Sequence, residues 1–298
     1  MSKILLTGGT GLIGSRLASM LQSAGHEVTV VSRNPTKVHG YPAIGWDELS
    51  NGAMEGTEIL IHLAGAGIAD ERWTPKRKEI IIKSRSETAA QLMAAAKAMK
   101  TPLKQVLAAS AIGIYGMVTN DHWYTEEDQP HDGFVAQTTR IWEESTTKFR
   151  EELKIPTAQI RIGVVLAKES GALPKIAGPV KFGAGAALGN GKQWIPWVHI
   201  EDICQVFMWA LKEGKDGIYN GVAPLPVTND EMNKVIAKVL GRPYFLPNAP
   251  AFVIRAVFGE LAQLVLEGSR VSAEKVQQEG FQFQYPNLEL ALKEIYQK

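Results

Sequence analysis

The stretch that decides the fold is LLTGGTGLIGSRL, residues 5–17. In it, Gly8, Gly11 and Gly14 are spaced three apart, directly after a short apolar run and at the start of a helical pattern. Glycines at this spacing let the chain turn tightly, let the backbone approach a pyrophosphate and let the helix pack on the strand, while the helix N-terminus supplies free N–H donors. The stretch therefore predicts a dinucleotide-binding loop; a glycine turn without a ligand is the alternative.

Short apolar runs alternate with helical patterns through the first half of the chain. Apolar runs that are buried on both faces and separated by helices indicate a parallel sheet covered on both sides. The sequence thus predicts an α/β fold with a Rossmann-type, doubly wound parallel sheet. The predicted strands are 3–9, 26–33, 57–65, 103–110 and 157–167, and the clearest helices are 11–24 and 84–100.

The amino-acid composition of the sequence changes after Leu166. Gly and Pro become frequent in residues 171–197, which predicts a long loop that shapes a binding site. We predict an NADP-binding Rossmann domain at 1–166, to which 195–223 return as part of the sheet. A smaller, α-rich substrate lobe is predicted for 167–194 and 224–298.

Composition excludes several classes of function. The chain has 298 residues, with 32 Lys and Arg against 31 Asp and Glu, and the scattered basic residues do not suggest a nucleic-acid partner. No segment approaches about 20 continuous apolar residues, so no membrane span is expected. The single cysteine, Cys204, excludes a disulfide within the chain and lies in an amphipathic run typical of a buried structural thiol. The six histidines lack metal-ligand spacing, and we expect a cytoplasmic protein without a metal.

The end of the second strand indicates which dinucleotide binds. An NAD site usually presents Asp or Glu there, but this chain has Ser32 and Arg33, which suit a ribose 2′-phosphate. The sequence therefore predicts NADP(H); a solvated Arg33 at a strand end is the alternative. The predicted cofactor-binding residues are Gly8, Thr10, Gly11, Leu12, Ile13, Gly14, Ser32, Arg33, Leu63, Ala64 and Gly65.

Motifs along the whole chain resemble a known family. The glycine loop, LAGAG at 63–67 and SAIGIYG at 110–116 are similar to those of the extended short-chain dehydrogenase/reductases. The segments 71–88, 194–203, 217–231 and 268–292 resemble an atypical branch of that family, the NAD(P)-dependent sugar-nucleotide epimerases with a characteristic C-terminal domain. The resemblance implies hydride transfer at NADP(H) on a nucleotide-linked sugar or another small carbonyl or hydroxyl compound.

The catalytic pair that the resemblance implies is missing. When residues 134–144 are aligned with the family's Tyr-x-x-x-Lys helix, Val135 and Thr139 take the Tyr and Lys positions, or Ala136 and Arg140 if the register slips by one. The family's Ser position falls on Ala111. Because proton transfer needs a positioned group with a suitable pKa, another residue has to take this role.

Three residues are candidates for that role. Tyr115 lies near the C-terminal end of the fifth predicted strand, where ligands of such sheets bind, although it could equally be a packing residue. Arg140 could face the cofactor or an anionic substrate, or simply solvent. Ser110 could hydrogen-bond a substrate oxygen, or cap the strand end.

The substrate side is predicted to include Lys181, Trp194, Trp197 and Arg270. Aromatic rings beside cations suit stacking on a base or sugar and neutralising a phosphate, whereas core packing would explain the tryptophans equally well. Two functions remain open, an NADP-dependent oxidoreductase or epimerase and a noncatalytic NADP(H)-binding protein. A retained polar pocket would favour the enzyme, and a collapsed or apolar pocket the binding protein. Substrate identity and oligomeric state are not predicted.

Overall fold

The computed structural model describes residues 1–297, which contain strands and helices in alternation. The strands are β1 Lys3–Thr7, β2 Glu27–Val31, β3 Ala43–Ile44, β4 Ile59–His62, β5 Gln105–Ala111, β6 Trp123–Tyr124, β7 Thr157–Ile162, β8 Val164–Leu166, β9 Trp194–Ile195, β10 Trp197–His199, β11 Gly217–Gly221, β12 Val227–Thr228 and β13 Arg270–Val271. The helices are α1 Leu12–Ser23, α2 Pro75–Ala98, α3 Phe134–Leu153, α4 Leu173–Lys181, α5 Ile200–Lys212, α6 Asn229–Leu240, α7 Ala251–Phe258, α8 Gln263–Leu266, α9 Glu274–Gln278 and α10 Leu288–Gln297.

The centre of the molecule is a seven-stranded parallel sheet in the order β11-β7-β5-β4-β1-β2-β3. The first strand pairs with β2 on one side and with β4 on the other, so Leu5 lies opposite both Thr29 and Leu60. The strand order reverses between β1 and β4, and a crevice opens at the carboxyl ends of the strands at such a point. The predicted α/β Rossmann-type sheet is confirmed, with helices covering it and further helices in the C-terminal region.

The segment 157–167 is not one strand, as the sequence predicts, but two. At Gly163 the chain passes so close to Pro196 that a Cβ would lie 2.4 Å from the Pro196 carbonyl oxygen. The Val164 N–H donates to that same oxygen at 2.8 Å. As a result β8 leaves the central sheet and pairs with β10, while β11 joins the sheet beside β7.

Helix α2 begins at Pro75, nine residues before the start that the sequence predicts. The Thr74 hydroxyl accepts the Arg77 N–H at 3.1 Å, and proline occupies the first helical position. Both features are normal start signals for a helix. The first turns of α2 mix charged and apolar residues without a clear apolar stripe. The hydrophobic pattern of the sequence therefore does not indicate that the helix starts here.

A helix also interrupts the predicted loop at 171–197. In α4, Leu173, Ala177 and Val180 are buried on one face at spacings of four and three. They pack with α6, α10 and Trp197 in a second apolar core beside the sheet. The proposed division into a Rossmann domain and a substrate lobe stays a prediction.

Two further observations concern the possibility of a membrane span and the single cysteine. Within residues 1–297, no helix combines the length and the apolar character needed to cross a bilayer. Cys204 is fully buried, and burial raises the pKa of its thiol to about 12, so the predicted burial of this thiol is confirmed.

Candidate functional site

The glycine loop forms one wall of a groove at the carboxyl ends of β1, β2 and β4. Gly8 has a φ of +72°, a conformation that side chains disfavour, and a Cβ at Gly14 would lie 2.1 Å from the Gly8 carbonyl oxygen. Helix α1 starts after Gly11, and no side chain caps its first turn. The N–H groups of that turn, which includes Leu12 and Ile13, are therefore available to an anionic ligand.

The groove has a volume of about 380 Å³. Eight of the predicted cofactor residues line it, namely Gly8, Thr10, Gly11, Ser32, Arg33, Leu63, Ala64 and Gly65. The wall also contains Asn34, Trp46, Ile80, Ser84 and Thr88, which were not predicted to bind the cofactor. Ser84 lines the groove, and its hydroxyl oxygen accepts the Ala66 N–H at 3.0 Å.

The electrostatics of the groove favour a phosphorylated ribose. Arg33 is exposed at the end of β2 and has no hydrogen-bond or ion-pair partner within residues 1–297. None of the residues lining the groove is Asp or Glu. Beside Arg33, the Ser32 hydroxyl oxygen accepts the Asn34 N–H at 3.1 Å. An anion at this end of the groove would meet a free guanidinium and no repelling carboxylate, so the residues fit NADP(H).

A buried Thr–His pair supports the opposite wall. The Thr7 hydroxyl oxygen accepts the N–H groups of Leu63 and Ala64 at 3.2 Å each and lies 2.7 Å from Nδ1 of His62. The Thr7 hydroxyl and His62 Nδ1 share a hydrogen bond whose direction depends on the tautomer of the ring, and Nε2 has no partner among residues 1–297. Burial lowers the pKa of His62 to about 4, so the ring is neutral at physiological pH. The pair holds the turn at Leu63 and Ala64, and the sequence analysis did not identify it.

A second cavity, of about 530 Å³, lies beyond the groove, next to the turn after β5 and the first residue of β8. It is adjacent to the glycine loop, because a Cβ on its wall residue Gly171 would contact the Leu12 side chain at 3.0 Å. Most of its wall is aliphatic. The aliphatic residues come from the turns after β4 and β5, from β8 and α4, from β9 and the segment before it, and from α8. They are Ile68, Ile112, Val164, Ile176, Leu188, Ile195, Leu264 and Val265.

Few polar groups face this cavity. Gln193 is buried, and its Nε2 donates to the carbonyl oxygens of Leu188 and Val265 at 3.1 and 2.7 Å. Its Oε1 has no hydrogen-bond partner among the described residues. Lys175 lines the cavity without an ion-pair partner in residues 1–297. The two acidic residues on the wall, unlike Lys175, do make contacts. Asp70 lies 3.6 Å from Arg77, and Glu267 accepts a hydrogen bond from the Thr119 hydroxyl at 2.9 Å.

Helix α3 turns the positions of the missing pair toward the loop after β5. Val135 and Thr139 are both buried, and Val135 Cγ1 would lie 2.5 Å from a Cβ at Gly113. The Thr139 hydroxyl donates to the Val135 carbonyl oxygen at 2.9 Å. The side chain of Arg140 lies on another face of the helix, 54% exposed and 3.8 Å from Glu144. The geometry therefore favours the first register, and Arg140 lines neither the groove nor the cavity. Its catalytic role stays a prediction.

Tyr115 and Ser110 belong to a buried polar network beneath the site. Arg161 makes a bidentate ion pair with Glu143 at 2.8 and 2.9 Å, and its Nη1 donates to the Tyr115 hydroxyl at 2.9 Å. That hydroxyl donates to Oδ1 of Asn220 at 2.7 Å. Tyr115 is fully buried, and burial raises the pKa of its phenol well above the usual value.

Ser110 is held by the same network. Its hydroxyl donates to Oε1 of Glu143 at 2.6 Å, and the side chain is 2% exposed. Neither Ser110 nor Tyr115 lines the cofactor groove or the cavity. A group that moves a substrate proton has to reach the substrate, and the structure brings neither hydroxyl to these two spaces. The catalytic roles of Ser110 and Tyr115 stay predictions.

The four predicted substrate residues do not come together. Trp194 lines the cavity, and Arg270 stacks between the rings of Trp194 and Trp123 at 4.5 and 3.9 Å, outside the cavity wall. Trp197 is fully buried, with its indole N–H donating to the Leu225 carbonyl oxygen at 3.0 Å, so it is a core residue. Lys181 is exposed and lies 5.1 Å from the Tyr296 ring, away from both sites. Neither Lys181 nor Trp197 lines the groove or the cavity, and their role as substrate contacts stays a prediction.

Comparisons with known proteins agree with the architecture. Residues 4–221 match the NAD dependent epimerase/dehydratase family, and residues 249–295 match a domain of unknown function, DUF1731. The epimerase family protein YfhF of Bacillus subtilis is 36% identical over 301 residues, which cover 98% of this chain and 97% of that protein. The human epimerase family protein SDR39U1 is also 36% identical, over 98% of this chain and 99% of its own.

Solved structures give the same relationship. The crystal structure of human epimerase family protein SDR39U1 (isoform 2) with NADPH has a TM-score of 0.90 and 32% identity, and it covers 99% of both chains. A nucleoside-diphosphate sugar epimerase from Corynebacterium glutamicum has a TM-score of 0.80 and 27% identity over 99% of this chain and 58% of its own.

Proposed function

Since this chain belongs to the NAD-dependent epimerase/dehydratase family, in the atypical extended branch that carries the C-terminal DUF1731 domain, we propose that it binds NADP(H) and catalyses hydride transfer to or from a small carbonyl or hydroxyl compound. The observation that carries the proposal is the free Arg33 guanidinium in a groove without carboxylates. The NADPH in the human relative's structure supports the same cofactor. A nucleotide-linked sugar is one member of the substrate class.

The groove binds the cofactor through backbone and side chain together. The first turn of α1 takes the pyrophosphate, because its N–H groups are uncapped and the positive end of the helix dipole lies there. Arg33 and Ser32 take the 2′-phosphate. When bound, the nicotinamide supplies a hydride donor or acceptor.

The proton has to come from outside the usual family machinery. Reduction of a carbonyl adds a hydride to its carbon and a proton to its oxygen, and neither Val135 nor Thr139 can act as the acid. We assign the proton to water that reaches the cavity from the solvent. Because general acid catalysis typically contributes about 10²–10⁴-fold, we expect a slow reaction.

A second candidate function is noncatalytic binding of NADP(H). Val135 and Thr139 favour it, because they leave the Tyr and Lys positions without an ionisable group. Two features of the cavity favour different candidates: its mostly aliphatic wall favours the binding protein, and its retained volume of about 530 Å³ favours the enzyme. We give priority to the enzyme, because the cavity lies next to the glycine loop and binding of the cofactor alone does not require it.

Calorimetric titration with NADPH and NADH, after removal of any cofactor carried through purification, tests the proposal. We expect NADPH to bind at least about tenfold more tightly, because a charge-assisted contact to the 2′-phosphate contributes about 1.5–3 kcal/mol. Absence of binding for both cofactors would overturn the proposal. Turnover of NADPH with carbonyl compounds then separates the enzyme from the binding protein, and cell fractionation tests the predicted cytoplasmic location.

A further inference from the structure

The wall of the cavity beside the glycine loop is poor in hydrogen-bonding groups. Ile68, Ile112, Val164, Ile176 and Leu264 come from five separate segments and converge on the same space. A sugar carries a hydroxyl on most of its carbons, and a hydroxyl buried without a partner costs about 1–3 kcal/mol. The lining therefore suits a ligand with an apolar ring or chain.

Gln193 adds one defined hydrogen-bonding position. Its two Nε2 hydrogens are directed to the carbonyl oxygens of Leu188 and Val265, which fixes the orientation of the amide. Its Oε1 remains without a partner while the residue is only 2% exposed. A buried acceptor of this kind is satisfied by one donor, and the hydroxyl of an alcohol supplies it.

Lys175 adds one charge. Among the described residues that line the cavity, it is the basic one, and no acid pairs with it. Asp70 lies near Arg77, which offsets its charge, and Glu267 keeps its charge while accepting a hydrogen bond from the neutral Thr119 hydroxyl, so neither acid forms an ion pair with Lys175. An anionic group on the ligand would complete the pairing of Lys175.

Part of the aromatic surface that a nucleotide base would use is already covered. Arg270 stacks on the ring of Trp194 at 4.5 Å, and Trp197 is buried in the core. Of these two rings, only the second face of Trp194 is left for a base.

From these contacts we infer that the cavity binds a small alcohol or carbonyl compound with an apolar body and a single anionic group, held by Lys175 and Gln193, and not a nucleotide-linked sugar. The inference rests on the proposed function, because it names the substrate class of that reaction. The aliphatic wall accounts for the body of the ligand, Gln193 for its hydroxyl and Lys175 for its charge.

The test uses the full-length protein saturated with NADPH, so that an alcohol probe binds without turnover. Calorimetric titration compares para-(hydroxymethyl)benzoate, benzyl alcohol and UDP-glucose. We expect the benzoate to bind most tightly and Lys175→Gln to weaken it about fivefold, as for a partly exposed ion pair. The affinity for uncharged benzyl alcohol should be the same in Lys175→Gln and in the wild type.

Lys181→Gln is the matched control, since Lys181 lies on the same helix, is exposed and does not line the cavity. It should leave the affinities for all probes unchanged. Ile176→Asp, which places a charge in the wall, should weaken both aromatic probes. UDP-glucose binding more tightly than the benzoate, equal effects of the two lysine variants, or no binding of any probe to the NADPH-saturated protein would overturn the inference. Failure of NADPH itself to bind is measured first and would overturn the proposed function instead.

Discussion

A methyl group on Gly14 would lie 2.1 Å from the carbonyl oxygen of Gly8, so the start of helix α1 and the turn of the loop touch through their backbones. Gly14→Ala has to push the helix away from the loop, because neither contact atom is a flexible side chain. We expect a loss of about 1–3 kcal/mol in the free energy of unfolding, as for other overpacked sites, and a clear loss of NADPH affinity. Urea unfolding and calorimetry measure the two effects.

Gly178→Ala is the control for this substitution. Gly178 lies inside α4, and a Cβ there meets no atom within 4 Å. Alanine is favoured over glycine within a helix by about 0.5–1 kcal/mol, so this variant should be as stable as the wild type or more stable. Equal NADPH affinities in both variants would show that the close contact does not shape the binding loop.

Arg33→Asp tests the choice of cofactor. It replaces the free guanidinium of a carboxylate-free groove with a negative charge that repels a 2′-phosphate. We expect the affinity for NADPH to fall by at least about tenfold, while the affinity for NADH stays the same or rises.

Lys212→Asp changes the net charge by the same amount at a side chain that is 85% exposed and distant from the groove. This variant should change the affinity for neither NADPH nor NADH. If Arg33→Asp weakened NADPH and NADH equally, the assignment of Arg33 to the 2′-phosphate would be wrong.

Tyr115→Phe separates a structural residue from a catalytic one. The variant removes the hydroxyl that accepts from Arg161 and donates to Asn220, and it leaves both buried partners incompletely satisfied. We expect the free energy of unfolding to fall by about 1–3 kcal/mol and NADPH affinity to stay unchanged.

The matched control is Tyr41→Phe. Tyr41 is half-buried and its hydroxyl has no partner within residues 1–297, so the change in stability should stay within about 0.5 kcal/mol. If Tyr115→Phe had normal stability but lost turnover on any substrate found, Tyr115 would be a catalytic residue and not a structural one.

Local sequence predicted the cofactor side because its signals are local. The glycine spacing and the residues at the end of β2 lie within 26 residues of each other, from Gly8 to Arg33, and their chemistry depends little on the rest of the chain. The sheet could also be predicted from the sequence, because strands that are buried on both faces appear as apolar runs.

The catalytic and substrate sides depend on contacts between distant parts of the chain. Tyr115 appeared free at a strand end, and only the fold brings Arg161 and Asn220, 46 and 105 positions away, to its hydroxyl. Lys175 was not identified because a Gly- and Pro-rich stretch predicts a loop, whereas α4 places Lys175 on the cavity wall. The neutral state of His62 likewise depends on burial, which no residue pattern reports.

His62 makes stability depend on pH. Burial lowers the pKa of the folded-state imidazole to about 4, below the ordinary value of 6.5. Between these pH values the unfolded chain binds a proton that the folded chain does not, so the free energy of unfolding falls as the pH decreases from about 6.5 to about 4. At 1.36 kcal/mol per pKa unit, this single group contributes a loss of about 3 kcal/mol.

His62→Asn tests this pH dependence. The amide can still hydrogen-bond to the Thr7 hydroxyl but cannot titrate, so urea unfolding should show a shallower pH dependence for the variant. His26 and His199, whose pKa values burial also lowers, are present in both proteins and cancel in the comparison. Identical pH profiles would mean that His62 takes up its proton equally in the folded and unfolded states. The assignment of a buried, neutral His62 ring beneath the turn at Leu63 and Ala64 would then be wrong.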